Sequence, residues 1–260
     1  MSTALITGAS NGIGLELAKI HASKGDNLVL VARNVSKLNE LKNELENLYK
    51  INVHIIVKDM SVPDAAQEVY NGTTAQNISI NYLINNAGFG DFGLFYTVEW
   101  DKAYRMINLN ITSLTQLTYL YLKDMINMGS GRIMNVASTA AFQPVPTMSV
   151  YSATKAFVLS FSEAVNNEVK DKGVTITALC PGPTSTGFRT AAAMEKSGLF
   201  KDGKSAGAKE VAEYGYKAMM SGKPVAIHGI KNLFMARAAN LLPHKIVINT
   251  TRKMMEDRAT

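Results

Sequence analysis

Tyr151 and Lys155 stand in the run Tyr151-Ser152-Ala153-Thr154-Lys155, thirteen and seventeen residues after Ser138. On a helix, a tyrosine and a lysine four positions apart share one face. An ammonium beside a phenol favours the phenolate and is expected to lower a pKa that is ordinarily about 10. A tyrosine so tuned can give a proton to a carbonyl oxygen, or take one from an alcohol, near neutral pH. Ser138 ends an apolar run and can hydrogen-bond the same oxygen. A lone YxxxK is more often an ordinary helix with a solvated lysine, so the reading depends on what falls into register with it.

The elements that would position these groups alternate. Strand-like runs cover Thr3 to Thr7, Leu28 to Ala32, Val53 to Val57, Tyr82 to Asn85, Arg132 to Val136, Val174 to Leu179 and Val225 to His228. They are nearly continuous apolar stretches, as parallel strands covered on both faces should be. Between them lie helical patterns such as Ile13 to Ser23. A second, Ser36 to Tyr49, places Leu38, Leu41, Leu45 and Leu48 at helical spacing. Alternation of this kind predicts a parallel sheet with helices on both faces.

The first run leads into Gly8-Ala9-Ser10-Asn11-Gly12-Ile13-Gly14 and then a helix. Glycines there allow a tight turn and close backbone approach, and the helix start offers N–H groups to a phosphate. The same residues match a GxSxG nucleophile elbow. An elbow serine needs an oxyanion loop from earlier strands, and none precedes the first one. His228 and His244 come late enough to serve it but have no distinctive setting. At the end of the second run stands Ala32 rather than an acid that would bind ribose hydroxyls, followed by Arg33, with Lys37 nearby. A guanidinium suits a 2′-phosphate, which favours NADP(H) over NAD(H).

With the glycine loop, Asn85-Asn86-Ala87-Gly88, Ser138, Tyr151-xxx-Lys155 and Pro181-Gly182 in this order, the chain resembles the short-chain dehydrogenase/reductase family from about Thr3 to Gly229. Within it, the chain is similar to a bacterial-type branch that resembles ketoacyl and hydroxysteroid reductases. The resemblance implies a single α/β domain over residues 1–260, a three-layer Rossmann-type fold with a doubly wound parallel sheet of seven strands. It implies that Gly8, Ser10, Asn11, Gly12, Ile13 and Gly14 form the pyrophosphate loop. Asp59 and Met60 would contact the adenine, and Asn86, Ala87 and Gly88 the adenosine ribose. Tyr151 would be the acid/base, Lys155 would bind the nicotinamide ribose and tune Tyr151, and Ser138 would orient the carbonyl. Asn108 and Asn110 are both candidates for the family's asparagine, which holds a water for proton relay. Asn110 is chosen because Ile111 and Ser113 then match the surrounding pattern. Pro181, Gly182 and Thr184 or Thr186 would meet the nicotinamide end.

The implied activity is hydride transfer between NADP(H) and a small-molecule carbonyl or alcohol, with a non-catalytic redox sensor or scaffold as the rival. Phe89, Phe92, Phe142, Pro144, Val145, Phe188 and Met194 could line an apolar pocket, and 184–207 could cover it. A homodimer or homotetramer is implied by the family.

Composition narrows the rest. At 47% apolar and 18% charged residues the chain can bury a core and is not of disordered type. Cys180 is the sole cysteine, so no intrachain disulfide forms. His21, His54, His228 and His244 are scattered without metal-ligand spacing. The net charge is +6, of which +5 falls from Lys223 onward, where seven cations face Glu256 and Asp257. That leaves the body without a nucleic-acid-binding charge and gives residues 240–260 the character of a basic tail, with a solvated face favoured over a membrane contact. His244 to Arg258 could be an interface helix, a pocket cover or a membrane-surface contact, and the β-branched Ile246 to Ile248 and Thr250-Thr251 weaken a helix there. No segment has the roughly 18 uninterrupted apolar residues of a membrane helix, and the first strand begins close to Met1, so a cytoplasmic protein is expected.

Overall fold

In the computed structural model, residues 1–186 and 205–256 are described. The expected pocket residues Phe188 and Met194, most of the 184–207 segment and the last four residues of the tail lie outside them. The seven apolar runs all become strands of one parallel sheet. These are β1 (Thr3–Thr7), β2 (Asn27–Ala32), β3 (Val53–Val57), β4 (Tyr82–Asn85), β5 (Gly131–Val136), β6 (Val174–Cys180) and β9 (Val225–Ile227), in the order β3-β2-β1-β4-β5-β6-β9. Two-residue strands β7 (Thr184–Ser185) and β8 (Ala206–Gly207) pair with each other apart from that sheet.

Helices follow the strands: α1 (Gly12–Ser23), α2 (Val35–Tyr49), α3 (Ala65–Ala75), α4 (Trp100–Ile107), α5 (Leu114–Asn127), α6 (Ser149–Glu168), α7 (Ala208–Met220), α8 (Ile230–Leu241) and α9 (His244–Glu256). One face of the sheet packs against α1, α2 and α7 through Leu17, Leu38, Leu45 and Val211. The other packs against α3 and α5 through Val69, Leu117, Tyr121 and Met125. Burying each such leucine contributes about 1.5–3 kcal/mol, so the two apolar faces hold the three layers together. Among the described residues, no helix is long and apolar enough to cross a membrane.

From β1 the chain runs outward through β2 and β3, then crosses back to start β4 on β1's other side. That reversal opens a crevice at the carboxyl ends of β1 and β4, where open α/β sheets hold ligands. A buried polar chain ties the crevice to α6. Asn85 donates to Thr118 Oγ1 (3.1 Å) and to Asn135 Oδ1 (2.9 Å), and Asn135 donates to Ser162 Oγ (2.9 Å). Each bond satisfies an amide that would otherwise be costly to bury, so the network fixes α6 against β5.

The β-branched residues near the C-terminus weaken a helix there but do not prevent one. The β-branched run 246–251 is helical, as part of α9. Val247 and Met255 are buried on its inner face, and Thr251 Oγ1 donates back to Val247 O (2.8 Å), so packing overrides the weak propensity.

Candidate active site

The end of β5, helix α6 and a π-helical segment bring Ser138, Tyr151, Lys155 and Asn110 to the crevice. Ser138 follows β5 and caps a short 3-10 turn (Thr139–Phe142), its Oγ accepting from Ala140 N–H at 3.1 Å. That bond leaves the Ser138 hydroxyl proton free to point elsewhere, and its side chain hydrogen-bonds Tyr151. Tyr151 and Lys155 lie on the buried face of α6 with Thr154, Val158 and Ser162.

Their electrostatics differ from the sequence expectation. Tyr151 is not made more acidic: burial pushes the phenol up to about 12, against a smaller downward pull from the Ser138 hydrogen bond. Burial likewise lowers Lys155 to about 8. The lysine Nζ donates to Val136 O at 2.8 Å and stands 5.8 Å from the Tyr151 ring centre. The strand-end carbonyl holds the ammonium, and loss of water outweighs any benefit to a phenolate.

Asn110 is fully buried in the π-helical segment, Asn108–Ser113, between α4 and α5. Such a widened turn is frequent at functional sites, because it re-aims side chains that a regular helix would point elsewhere. Asn110 Nδ2 donates to Phe89 O (3.1 Å) and to Thr154 Oγ1 (3.0 Å). A Cβ on Gly88 would lie 3.1 Å from Asn110 Oδ1 and 3.4 Å from Lys155 Nζ, so both polar groups converge over this glycine. Asn108, the other candidate, is turned away and donates to Ser61 O at 2.7 Å.

The glycine turn fits a phosphate-bearing cofactor. Gly8 (φ +67°) and Gly12 (φ +56°) occupy left-handed conformations, and Asn11 Oδ1 caps Gly12 N–H at 2.9 Å. A Cβ on Gly14 would fall 2.4 Å from Gly8 O, so α1 can begin this close to β1 only with glycine there. The amides that open α1 lack partners within the helix and face the crevice end of the sheet. Asn86 is committed to this turn, its Nδ2 donating to Thr7 O (2.9 Å) and Gly8 O (3.3 Å). Thr7 Oγ1 in turn accepts from the Asn86 and Ala87 amides at 3.0 Å each. After β6, Thr184 Oγ1 donates back to Gly182 O (2.9 Å), whereas Thr186 reaches Gly12. Pro181 O accepts from Thr139 N–H (2.9 Å), which joins this segment to the Ser138 turn.

Beyond β3, Asp59 accepts from Ser61 N–H (2.9 Å), Ser61 Oγ (2.7 Å) and Arg105 Nη2 (2.7 Å), with Arg33 Nη1 at 3.7 Å. These bonds and the two cations hold the carboxyl below its usual range despite partial burial. Ser113 Oγ donates to Met60 O (2.6 Å), which locks the same loop to the π-helical segment. Among the described residues the hydrolase alternative finds neither candidate histidine beside Ser10: His228 bonds Glu210 Oε1 (3.2 Å) at the far side of the sheet, beyond β4, β5 and β6, and His244 is exposed.

A family model described as short chain dehydrogenase matches residues 2–197. The chain belongs to that family. Among curated relatives of this short-chain dehydrogenase, the very-long-chain 3-oxoacyl-CoA reductase of Mus musculus is 32% identical over 182 residues, 68% of this chain and 58% of the relative. The 7beta-hydroxysteroid dehydrogenase of Mediterraneibacter gnavus is 32% identical, over 70% of this chain and 68% of that protein. The chain thus spans less than two thirds of the mouse relative, and the likeness to ketoacyl and hydroxysteroid reductases read from its motifs recurs among its relatives. A short-chain dehydrogenase from Sphingobium yanoikuyae, solved in complex with NADPH, superposes with a TM-score of 0.83 at 30% identity, covering 93% of this chain and 94% of that one.

Motif reading missed several residues in this short-chain dehydrogenase. Met106, Met148 and Met255 pack with Val145, Phe89, Phe92 and Tyr151 in one apolar cluster. Phe142, expected with them, packs instead with Leu114, Ala137 and Val158, and Pro144 is exposed. A shallow open cleft lies beside Tyr151, lined in part by Gly93, Met106, Met148 and Val150. Met255 reaches the cluster from the other end of the chain, and no local pattern announces it. Arg105 carries no signal either, being one cation on an amphipathic helix.

Proposed function

We propose that the protein is an NADP(H)-dependent oxidoreductase that reduces an apolar ketone or aldehyde to the alcohol. The observation that carries this reading is a buried, proton-bearing Tyr151, hydrogen-bonded by Ser138, at the edge of an apolar cleft. A bound nicotinamide would supply the hydride; the chain's own part is to hold the substrate and move the proton. Tyr151 gives its proton to the carbonyl oxygen as negative charge develops there, and Ser138 donates a hydrogen bond to the same oxygen. Lys155, charged at neutral pH, offers an ammonium to ribose hydroxyls and to the negative charge that develops on Tyr151 as its proton leaves. Asn110 keeps α6 and the Phe89 backbone in register around that ammonium. Asp91 at the cleft's rim is neutralised by Lys102, so the walls seen by substrate are methionine, valine and aromatic rings.

A pH dependence follows. A phenol at about 12 keeps its proton throughout the neutral range, so carbonyl reduction should be nearly flat between about pH 6 and 7 and decline as Lys155 loses its ammonium proton near pH 8. Alcohol oxidation needs the phenolate, whose population grows as pH rises toward that value, so oxidation should speed up with pH. Initial rates in both directions check this; oxidation that slows with rising pH contradicts it.

NADP(H) preference rests on Arg33, whose side chain is mostly solvent-exposed after an Ala32 that carries no charge. Arg33→Ala should raise the KM for NADPH about tenfold or more and leave that for NADH within about twofold. Equal effects on both would remove Arg33 from the phosphate site. Turnover across a panel of apolar ketones with NADPH tests the proposal as a whole. Tight NADPH binding with no turnover on any of them would favour the sensor. Tyr104, Tyr119 and Phe157 are exposed on α4, α5 and α6 and would suit a homodimer or homotetramer built on those helices.

A further inference from the structure

Helix α8 has an apolar stripe facing outward. Ile230, Phe234 and Leu241 are 84%, 75% and 85% exposed, and their spacing puts them on one side of the helix, with Arg237 between them. Ala236, on the opposite side, is buried. Leu242 and Ile246 continue the exposed apolar surface into the turn and the first residues of α9. Single exposed apolar side chains are ordinary, but five large ones clustered between Ile230 and Ile246 are the pattern of a contact surface.

The charge around this run has one sign. Lys231, Arg237 and Lys245 accompany it, and the sequence has no acidic residue from Pro224 to Met255. Among the described residues none of these three cations has an ion-pair partner. The charge decides which occupant fits. A second copy docked through a two-fold axis would set the same cations against one another, with no carboxylate to offset them. A surface that is apolar inside and anionic outside would satisfy both halves of the pattern.

We propose that α8 and the start of α9 seat the protein on an anionic lipid surface, with Ile230, Phe234 and Leu241 entering the interface and Lys231, Arg237 and Lys245 meeting the headgroups. The opposite face of α9 carries Met255 into the apolar cluster around Tyr151, so the lipid-facing element also packs beside the candidate site. An apolar substrate dissolved in the bilayer would then be taken up beside the cleft. Lipid binding is read without turnover, so the proposal stands or fails separately from the reductase reading.

The test is flotation of the full chain with vesicles of neutral phosphatidylcholine, or of phosphatidylcholine with about a third phosphatidylglycerol. Binding is expected only to the anionic vesicles and should be lost in about 0.5 M NaCl, where screening is nearly complete. The double variant Lys231→Glu/Arg237→Glu should partition about tenfold less or worse, and Phe234→Ser should weaken binding at unchanged charge. Both variants change exposed residues, and retained circular dichroism and NADPH affinity show that they fold. No difference between the two lipids, or anionic binding indifferent to both variants, overturns the proposal. So does a dimer in light scattering that Phe234→Ser dissociates, because the face would then belong to a second copy.

Discussion

Tyr151→Phe should cut carbonyl turnover by about a thousandfold or more while leaving NADPH affinity within about twofold. The ring stays, so the apolar cluster of Met106, Val145, Met148 and Met255 keeps its packing. Only the hydroxyl is lost, together with its hydrogen bond to Ser138, at a cost to stability of about 1 kcal/mol. Among the described residues no other acid replaces it. Lys155 is held by Val136 O, and Asn110 spends its amide on Phe89 O and Thr154. Initial rates and a fluorescence titration with NADPH separate the two effects. Turnover near the parent's would remove Tyr151 from its assigned role.

Gly14→Ala should weaken NADPH binding more than about tenfold and lower the melting temperature by several degrees. The new methyl would sit 2.4 Å from Gly8 O and 2.5 Å from Asn86 Nδ2. The first is backbone and cannot swing away. The second belongs to the amide that ties β4 to the glycine turn, through Thr7 O and Gly8 O. Relief of either contact moves the start of α1, which is where a pyrophosphate would be met. Gly207→Ala is the matched control, since a Cβ there meets nothing within 4 Å and its φ is −68°. Thermal unfolding and NADPH titration of both variants decide the matter. An unperturbed Gly14→Ala would mean that the turn is not packed as described.

The sheet is readable from the chain because seven apolar runs, each doubly covered, leave a pattern in the residues themselves. The glycine turn and the pairing of Tyr151 with Lys155 are readable for a related reason, since both are local spacings. What depends on distant partners is not. The residue types suggest an acidified phenol, yet burial of Tyr151 and Lys155 among β5, β6 and α6 reverses the shift, and burial is a property of the assembled fold. The β-branched stretch of α9 weakens a helix until Val247 and Met255 have a surface to pack on. Met255, more than a hundred residues from Tyr151, and Arg105, which fixes Asp59 with Ser61, become visible only when the chain closes.

Whether Tyr151 protonates the oxygen of a carbonyl reduced by the nicotinamide is decided by following the transferred atom. NADPH carrying deuterium at both hydrogens of the nicotinamide C4 position is incubated with the enzyme and an apolar ketone, and the alcohol is examined by mass spectrometry. One deuterium on the carbinol carbon is expected from the parent enzyme, and essentially no labelled alcohol from Tyr151→Phe. Unlabelled alcohol, or labelled alcohol formed equally by both proteins, would contradict the assignment.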